Sequence, residues 1–380
     1  MILSRLTTDS FRNLAPAETA FHEQTNILVG RNGQGKTNLL EAIYFLVTTK
    51  SFRTPRVQSL FRFDAPSVFV SGVVQREVER TLSVGLEGNV GPALSRSGPA
   101  GEPALREPRK RVLLINGERV TLANYLNATT VFAYSSARLE IIRGAPEERR
   151  RFLDRGVASI HPAHLDELTR YGRVLKQRNA LLQAVSVGDA PASMLDPWDE
   201  EFVAAAELVT ASRAAYTKQL AAAYEEIVAR HDYHVRGVRM VYRPSLADLR
   251  ATRKEEIRAR MSLSGPQRDH LDFLLADGGK SRPAAEVLSG GELKMIVLFL
   301  KFAKIELFRR RMDETPIFLL DDVDAELDLE ILQNLLARLP ARTQLFATSA
   351  KESFLQALET GPHRRLTIEN GRVTASRDFA

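Results

Sequence analysis

Thr25 to Ile43 reads TNILVGRNGQGKTNLLEAI. The apolar run Ile27-Leu28-Val29 enters a stretch of three glycines and a lysine, and a helical pattern leaves it. Gly30-Arg31-Asn32-Gly33-Gln34-Gly35-Lys36-Thr37 fits G-x-x-x-x-G-K-[ST], a loop that cradles nucleotide phosphates when a strand precedes it and a helix follows. That context is met here, because Leu39, Leu40, Ile43, Leu46 and Val47 recur at helical spacing. Gly33 and Gly35 let the backbone curl its N–H groups toward β-phosphate oxygens. Lys36 then bridges the β- and γ-phosphates, and Thr37 offers its hydroxyl to Mg2+. Residues Gly30 through Thr37 are therefore expected to bind ATP, with Lys36 also acting in catalysis.

Composition narrows the field. The 380 residues can bury a sizeable core and suggest two domains. No cysteine is present, which excludes disulfides, thiolate zinc sites and cysteine nucleophiles. No apolar run is long enough for a membrane span, and the start MILSRLTTDSF lacks an apolar signal core, so neither a membrane nor export is expected. The seven histidines are scattered. The pairs His161/His164 and His231/His234 lack carboxylates at recognisable metal spacing and read as ordinary side chains. A net charge of +6 suits a nucleic-acid partner without demanding one.

Along the chain, 68–74 and 78–86 read as strands, and the proline-rich 87–108 as a loop inside a hairpin. Asn116-Gly117 between RVLLI and ERVTL signals a tight hairpin turn. From about Glu147 the period becomes helical. Leu165, Leu168, Gly172, Leu175, Asn179, Leu182 and Val185 trace one stripe. Trp198, Phe202, Ala205, Val209, Ser212, Tyr216 and Ala223 trace a second. The last third returns to β/α character. The expected organisation is an α/β head made from 1–129 and 261–380, interrupted by a mainly helical arm over 130–260.

Two further segments carry chemistry. The apolar strand Pro316–Leu320 ends in Asp321-Asp322. Asp321 is placed to hold Mg2+ through water, and Asp322 to orient or deprotonate the attacking water. Leu288-Ser289-Gly290-Gly291-Glu292 puts a serine and two glycines at a helix start, where backbone donors collect.

Together these three motifs resemble the ATP-binding-cassette ATPase heads, in the branch that holds the SMC proteins. GAPEERRRFLD (144–154), KSFRT (50–54), SGPQRDH (264–270) and LLDDVDAELD make the RecF family the nearest likeness, over nearly the whole chain. The resemblance implies a cytoplasmic, nucleoid-associated protein and a homodimer formed on ATP. Ser289, Gly290 and Gly291 of one copy would touch the γ-phosphate held by the other, so Ser289 acts in trans. It also implies weak, DNA-stimulated ATPase activity and binding to duplex DNA and single/double-strand junctions. RecO and RecR would be partners, with RecA and single-strand-binding protein engaged indirectly, in recombinational repair, replication-fork maintenance and the SOS response. Gln75 is the candidate for the mid-domain glutamine that contacts Mg2+, and 324–328 would cross the dimer interface. The chain departs from the wider pattern at Glu292, where glutamine is common. It departs again at ATS (347–349), where Thr348 and Ser349 replace the transporters' histidine; that fits a slow switch better than a transport motor.

Arg149, Arg150, Arg151 and Arg155 crowd one short stretch, with Lys176 and Arg178 on the next helix and Arg53 and Arg56 near the phosphate loop. Such arginines suit DNA phosphates, and pairing with Glu147 and Glu148 is the competing explanation. Two other functional classes remain: an ATPase subunit of a transporter or other assembly, and a structural partner whose nucleotide only stabilises the fold. The length of the helical insert and the missing histidine argue against the transporter.

Overall fold

The computed structural model describes residues 1–54, 56–63, 65–87, 110–135, 139–230, 238–277, 280–322, 329–349, 352–359 and 361–380. The chain divides into two compact units, one of Met1–Ala137 with Asp313–Ala380 and one of Arg138–Met312. In the first, β1 (Ile2–Asp9), β2 (Ala17–Ala20) and β3 (Thr25–Val29) precede α1 (Lys36–Thr48). β4 (Ser67–Gln75), β5 (Glu79–Glu87), β6 (Lys110–Ile115), β7 (Glu118–Arg119), α2 (Leu122–Leu126) and β8 (Val131–Ser135) follow. The second unit holds α3 (Glu140–Arg143), α4 (Pro146–Ile160), α5 (His164–Val187), α6 (Leu195–Ala229), β9 (Val238–Arg243) and α7 (Leu249–Ala259). It ends with β10 (His270–Asp277), β11 (Lys280–Pro283), α8 (Ala284–Val287) and α9 (Gly290–Met312). The first unit resumes with β12 (Ile317–Asp321), α10 (Leu329–Leu336), β13 (Leu345–Thr348), α11 (Glu352–Leu358), β14 (His363–Glu369) and β15 (Arg372–Phe379).

Two sheets sandwich α1. One is antiparallel, in the order β2-β1-β4-β5-β6-β7. The other runs β15-β14-β3-β13-β12-β8, with all but its edge strand β15 parallel. Parallel strands are buried on both faces, which is why β12 and β13 read as unbroken apolar runs. Leu39, Leu40, Ile43 and Leu46 of α1 join Leu3, Val70, Val84, Leu319 and Phe346 in one core. The hairpin between β6 and β7 turns at Asn116 (φ 51°) and Gly117 (φ 82°), both positive as the Asn-Gly signal requires.

The second unit's limits, 138 and 312, differ from the expected 130 and 260. Strand pairing accounts for the later end, because β10 pairs with β9 and β11, and α9 then packs along α6 and α4. The expected stripe on α6 is borne out at Phe202, Ala205, Val209, Tyr216 and Ala223, all buried. On α5 the buried face is His164, Tyr171, Val174, Arg178 and Leu182, which meets the expected stripe at Leu182 and elsewhere lies one position before it, with Gly172 exposed. Buried polar side chains cause the rotation. His164 is held by Asp154 and Glu167, and Arg178 by Asp199, Glu256 and Ser262. A hydrophobicity pattern does not register such residues. The proline-rich 88–109 lies outside the described residues.

Candidate functional site: a phosphate loop and its acids

The loop between β3 and α1 sits at the carboxyl end of the parallel sheet, where ligands bind in open α/β folds. Gly30 (φ 148°), Gly33 (φ 81°) and Gly35 (φ 114°) all take positive φ, so the glycines do what the motif requires. Gly30 is also constrained by space, since a Cβ there would lie 2.4 Å from the Ile368 carbonyl oxygen. The Lys36 ammonium is folded back across the loop, donating to Gly30 O (2.6 Å) and Arg31 O (3.1 Å). The loop's outer side is held by distant residues. Asn370 N–H donates to Gln34 Oε1 (2.6 Å), Gly371 N–H to Gln34 O (2.8 Å), and Asn13 Nδ2 to Gly33 O (3.4 Å).

The Thr37 hydroxyl donates to Asp321 Oδ1 at 2.9 Å, joining residues 284 positions apart. Thr348 donates to the same oxygen at 2.9 Å and accepts the Asp322 N–H at 2.8 Å. Asp322 turns into the left-handed region (φ 54°), which carries its side chain out of the buried strand and into an exposed position. Burial pushes the Asp321 carboxyl up to about 6, against the Thr348 and Thr37 hydrogen bonds; Asp322 adds to the rise and Arg53 opposes it. A buried carboxylate raised in this way, beside a threonine hydroxyl, suits a hard cation with oxygen ligands. The donor set of Thr37 and Asp321 therefore fits Mg2+.

Gln75 requires a correction. It ends β4 opposite Ile2, and the next residue, Arg76, pairs with Glu314 at 2.7 Å, ahead of β12. Asp321 is the last residue of β12, so Gln75 lies at the opposite end of that strand, roughly 20 Å away by strand rise. The residue level with Asp321 on the neighbouring strand is Ser135, buried at the end of β8. Both Ser135 and Thr348 were readable as polar residues ending apolar parallel strands.

Ser289, Gly290 and Gly291 lie in the second unit, at the start of α9. Glu292, the departure from the usual glutamine, completes a reciprocal cap: Ser289 N–H donates to Glu292 Oε2 (2.7 Å), and Glu292 N–H donates to Ser289 Oγ (3.3 Å). Residues 324–328 lie outside the described residues.

The arginines of α4 serve the fold. Arg149 donates to Leu271 O (3.2 Å) and Ile142 O (3.1 Å), and Arg150 to Asp269 O (3.1 Å). Arg151 bonds Glu148 and Glu147, each at 2.6 Å. Arg155 is half-buried on the same helix. Arg178, expected beside Lys176 as a DNA contact, has no exposed surface and is saturated by Asp199 (2.8 Å), Ser262 (2.7 Å) and Glu256 (2.6 Å). Structural pairing therefore accounts for Arg149, Arg150, Arg151 and Arg178.

A phosphate loop, an acid pair ending a parallel strand of the same sheet and a helical unit inserted between them define a P-loop ATPase head of the ATP-binding-cassette type. The family description "RecF/RecN/SMC N terminal domain" matches residues 2–370. The chain belongs to that family and, within it, to the RecF proteins. It is 32% identical over 390 residues to the "DNA replication and repair protein RecF" of Geotalea daltonii, covering 98% of this chain and 100% of that protein. It is 33% identical over 391 residues to its namesake in Citrifermentans bemidjiense, with the same coverage. The solved "Structure of the recombination mediator protein RecF-ATP in RecFOR pathway" superposes with a TM-score of 0.82 at 23% identity, covering 100% of this chain and 98% of that one. A Smc head bound to the C-winged helix domain of ScpA gives 0.55 at 15% identity, covering 100% and 97%. At these identities the two structures carry the fold alone.

Proposed function

We propose that this protein is an ATP-switched, DNA-binding factor of recombinational repair and fork maintenance. In this reading it dimerises on ATP, grips duplex DNA and single/double-strand junctions, and hydrolyses ATP slowly. It works with RecO and RecR to help place RecA on gaps covered by single-strand-binding protein. The observation that carries the reading is the Thr37–Asp321–Thr348 hydrogen-bond chain at the mouth of the phosphate loop, in a chain related end to end to RecF proteins. Among the described residues, no helix is long and apolar enough to cross a membrane.

The roles follow from the residues. Loop N–H groups and Lys36 bind the triphosphate, and the helix start adds its dipole. Thr37 and Asp321 hold Mg2+, which when bound neutralises charge on the β- and γ-phosphates. Asp322 accepts a proton from water as its oxygen bonds to the γ-phosphorus and the bond to ADP breaks. Ser289 of a second copy donates its hydroxyl to the γ-phosphate, so closure reports the triphosphate.

Sedimentation of the wild type and Lys36→Met with ATP, ADP or neither, together with titrations of duplex, single-stranded and gapped DNA, tests the reading. It expects ATP-specific dimers that bind duplex or gapped DNA, and their loss in the variant. Equal binding by a nucleotide-free monomer would overturn it.

A further inference from the structure

Helix α7 presents two unlike faces. Leu249 and Glu256 are buried, and Arg253 is tied to Asp196 at 2.6 Å and to Asp199. Glu256 takes Arg178 Nη2 at 2.6 Å and the Leu263 N–H at 2.8 Å. These buried ion pairs fix the helix about its own axis, because rotation would strand a charge in the interior. Asp248 caps the helix, accepting the Arg250 N–H at 2.9 Å.

At ~100° per residue, Arg250, Lys254 and Arg258 fall within an arc of roughly 80°, on the side away from the buried Leu249 and Glu256. All three are exposed. Among the described residues, no carboxylate pairs with any of them. The acids of α7 are Glu256, which is buried, and Glu255, which stands three residues before Arg258, about 60° from it on the wheel, and among the described residues makes no ion pair with it. Like charges four apart weaken a helix; on α4 Glu147 and Glu148 pair with Arg151, whereas on α7 Glu255 pairs with none of the three cations among the described residues. An unbroken cationic row, about 6 Å per step, instead matches a polyanion with regularly spaced charges. Lys176, on the outward side of the neighbouring α5, is likewise exposed and unpaired among the described residues.

We propose that Arg250, Lys254 and Arg258 form a track for the phosphate backbone of DNA, contacting charge rather than sequence. The proposal rests on the DNA-binding part of the function above. It moves the contact from α4, where Arg149 and Arg151 pair with acids and Arg150 is held by a backbone carbonyl, to the row Arg250, Lys254 and Arg258 of α7, where no such pairing is found among the described residues. A rigid row of side chains ending in cations fixes the DNA's orientation and leaves base choice open.

The test is fluorescence anisotropy of labelled duplex with the full chain, ATP and Mg2+, over a series of salt concentrations. The slope of log affinity against log salt falls by ~0.9 for each phosphate contact removed. The triple variant Arg250→Gln, Lys254→Gln, Arg258→Gln should flatten that slope by about 2.7 while ATP affinity and dimer mass stay at wild-type levels. The charge-keeping double variant Arg250→Lys, Arg258→Lys should retain the wild-type slope, and Arg151→Gln on α4 should leave it unchanged. An unchanged slope in the triple variant overturns the track and leaves the proposed function standing, as does a loss confined to binding of polyglutamate, which would mark a protein-binding face. If the wild type binds DNA without salt dependence, the track and the DNA-binding part of the function fall together, while ATP-driven dimerisation is judged by sedimentation.

Discussion

Thr348 Oγ1 lies 2.9 Å from Asp321 Oδ1 and 2.8 Å from the Asp322 backbone nitrogen, so one hydroxyl orients both the side chain of Asp321 and the backbone of Asp322. The wider transporter pattern puts a histidine that senses the γ-phosphate in this region. Here a shorter side chain acts from behind, on the acids. A hydrogen bond to a charged group is worth about 1.5–3 kcal/mol, so losing it corresponds to roughly ten- to a hundred-fold. Thr348→Val should lower kcat for ATP hydrolysis by about that factor and raise the Mg2+ concentration needed for half-maximal rate. Thr348→Ser should restore both. Equal kinetics for the valine and serine variants would remove the role.

Ser289 and Glu292 cap each other, so a test of the trans contact must separate capping from phosphate recognition. Ser289→Asp keeps a good N-cap and sets a negative charge against the partner's triphosphate; Ser289→Arg removes the cap, at a cost of about 1 kcal/mol. Both should stay monomeric with ATP in sedimentation while a fluorescent ATP analogue still binds each head. ATP-driven dimers of Ser289→Asp at wild-type levels would contradict contact in trans.

In the second unit, Asp154 joins Arg213 (Nε, 2.8 Å) and His164 (Nε2, 3.2 Å). Burial alone pushes the Asp154 carboxyl up, and the hydrogen bonds from His164 and Arg213 outweigh it and hold it below its ordinary 3.8. A depressed carboxylate stabilises the fold at pH above its unfolded value and loses that contribution as pH falls through the folded value. Asp154→Asn should therefore be less stable than wild type at neutral pH, with the gap closing below pH ~3.8. Urea unfolding at a series of pH values measures this, and a gap that is constant with pH would contradict the ionic account.

Arg178 has no exposed surface and lies 5.0 Å from the Phe202 ring centre. Replacing it with alanine leaves Glu256 without its cation and Asp199 with Arg253 alone. Breaking a buried pair from one side typically costs about 3–5 kcal/mol. Arg178→Ala should lower the urea midpoint accordingly. Arg178→Met with Glu256→Gln and Asp199→Asn, which removes the stranded charges as well, should recover part of the loss. No recovery would show that shape rather than charge dominates.

How much of this was legible in the sequence depends on which forces write into it. The phosphate loop announced itself because positive φ at Gly30, Gly33 and Gly35 demands one residue type at fixed spacing. Asp321 and Asp322 were visible because acids end an otherwise apolar strand. Arg178 stood among the DNA candidates and His164 lay outside the expected stripe because ion pairs leave no periodic trace, so a buried arginine looks like a surface one until Asp199 and Glu256 are placed beside it. Gln75 failed for a related reason. Position along a strand does not say which end of the neighbouring sheet it reaches.

Gly371 shows the same limit and supports a last prediction. It forms the β14–β15 turn with Asn370 (φ 74° and 50°, respectively), whose N–H reaches the phosphate loop from 336 residues beyond Gln34. Its N–H donates to Gln34 O at 2.8 Å, and its carbonyl accepts the Ala15 N–H at 3.0 Å. A Cβ at 371 would lie 2.0 Å from the Asn13 carbonyl oxygen, which is backbone and has no side-chain freedom to move aside. Gly371→Ala therefore combines a left-handed conformation, costing about 1 kcal/mol for an L-residue, with a backbone clash that must shift either the turn or the Asn13 segment. Both segments contact the loop, through Gln34 and Gly33. The variant should bind ATP at least ten-fold more weakly. Asn370→Gly, which relaxes the turn without filling the space, should bind close to wild type. Calorimetric titration of ATP into each protein decides the matter: wild-type affinity in Gly371→Ala would mean that the terminal hairpin does not shape the loop.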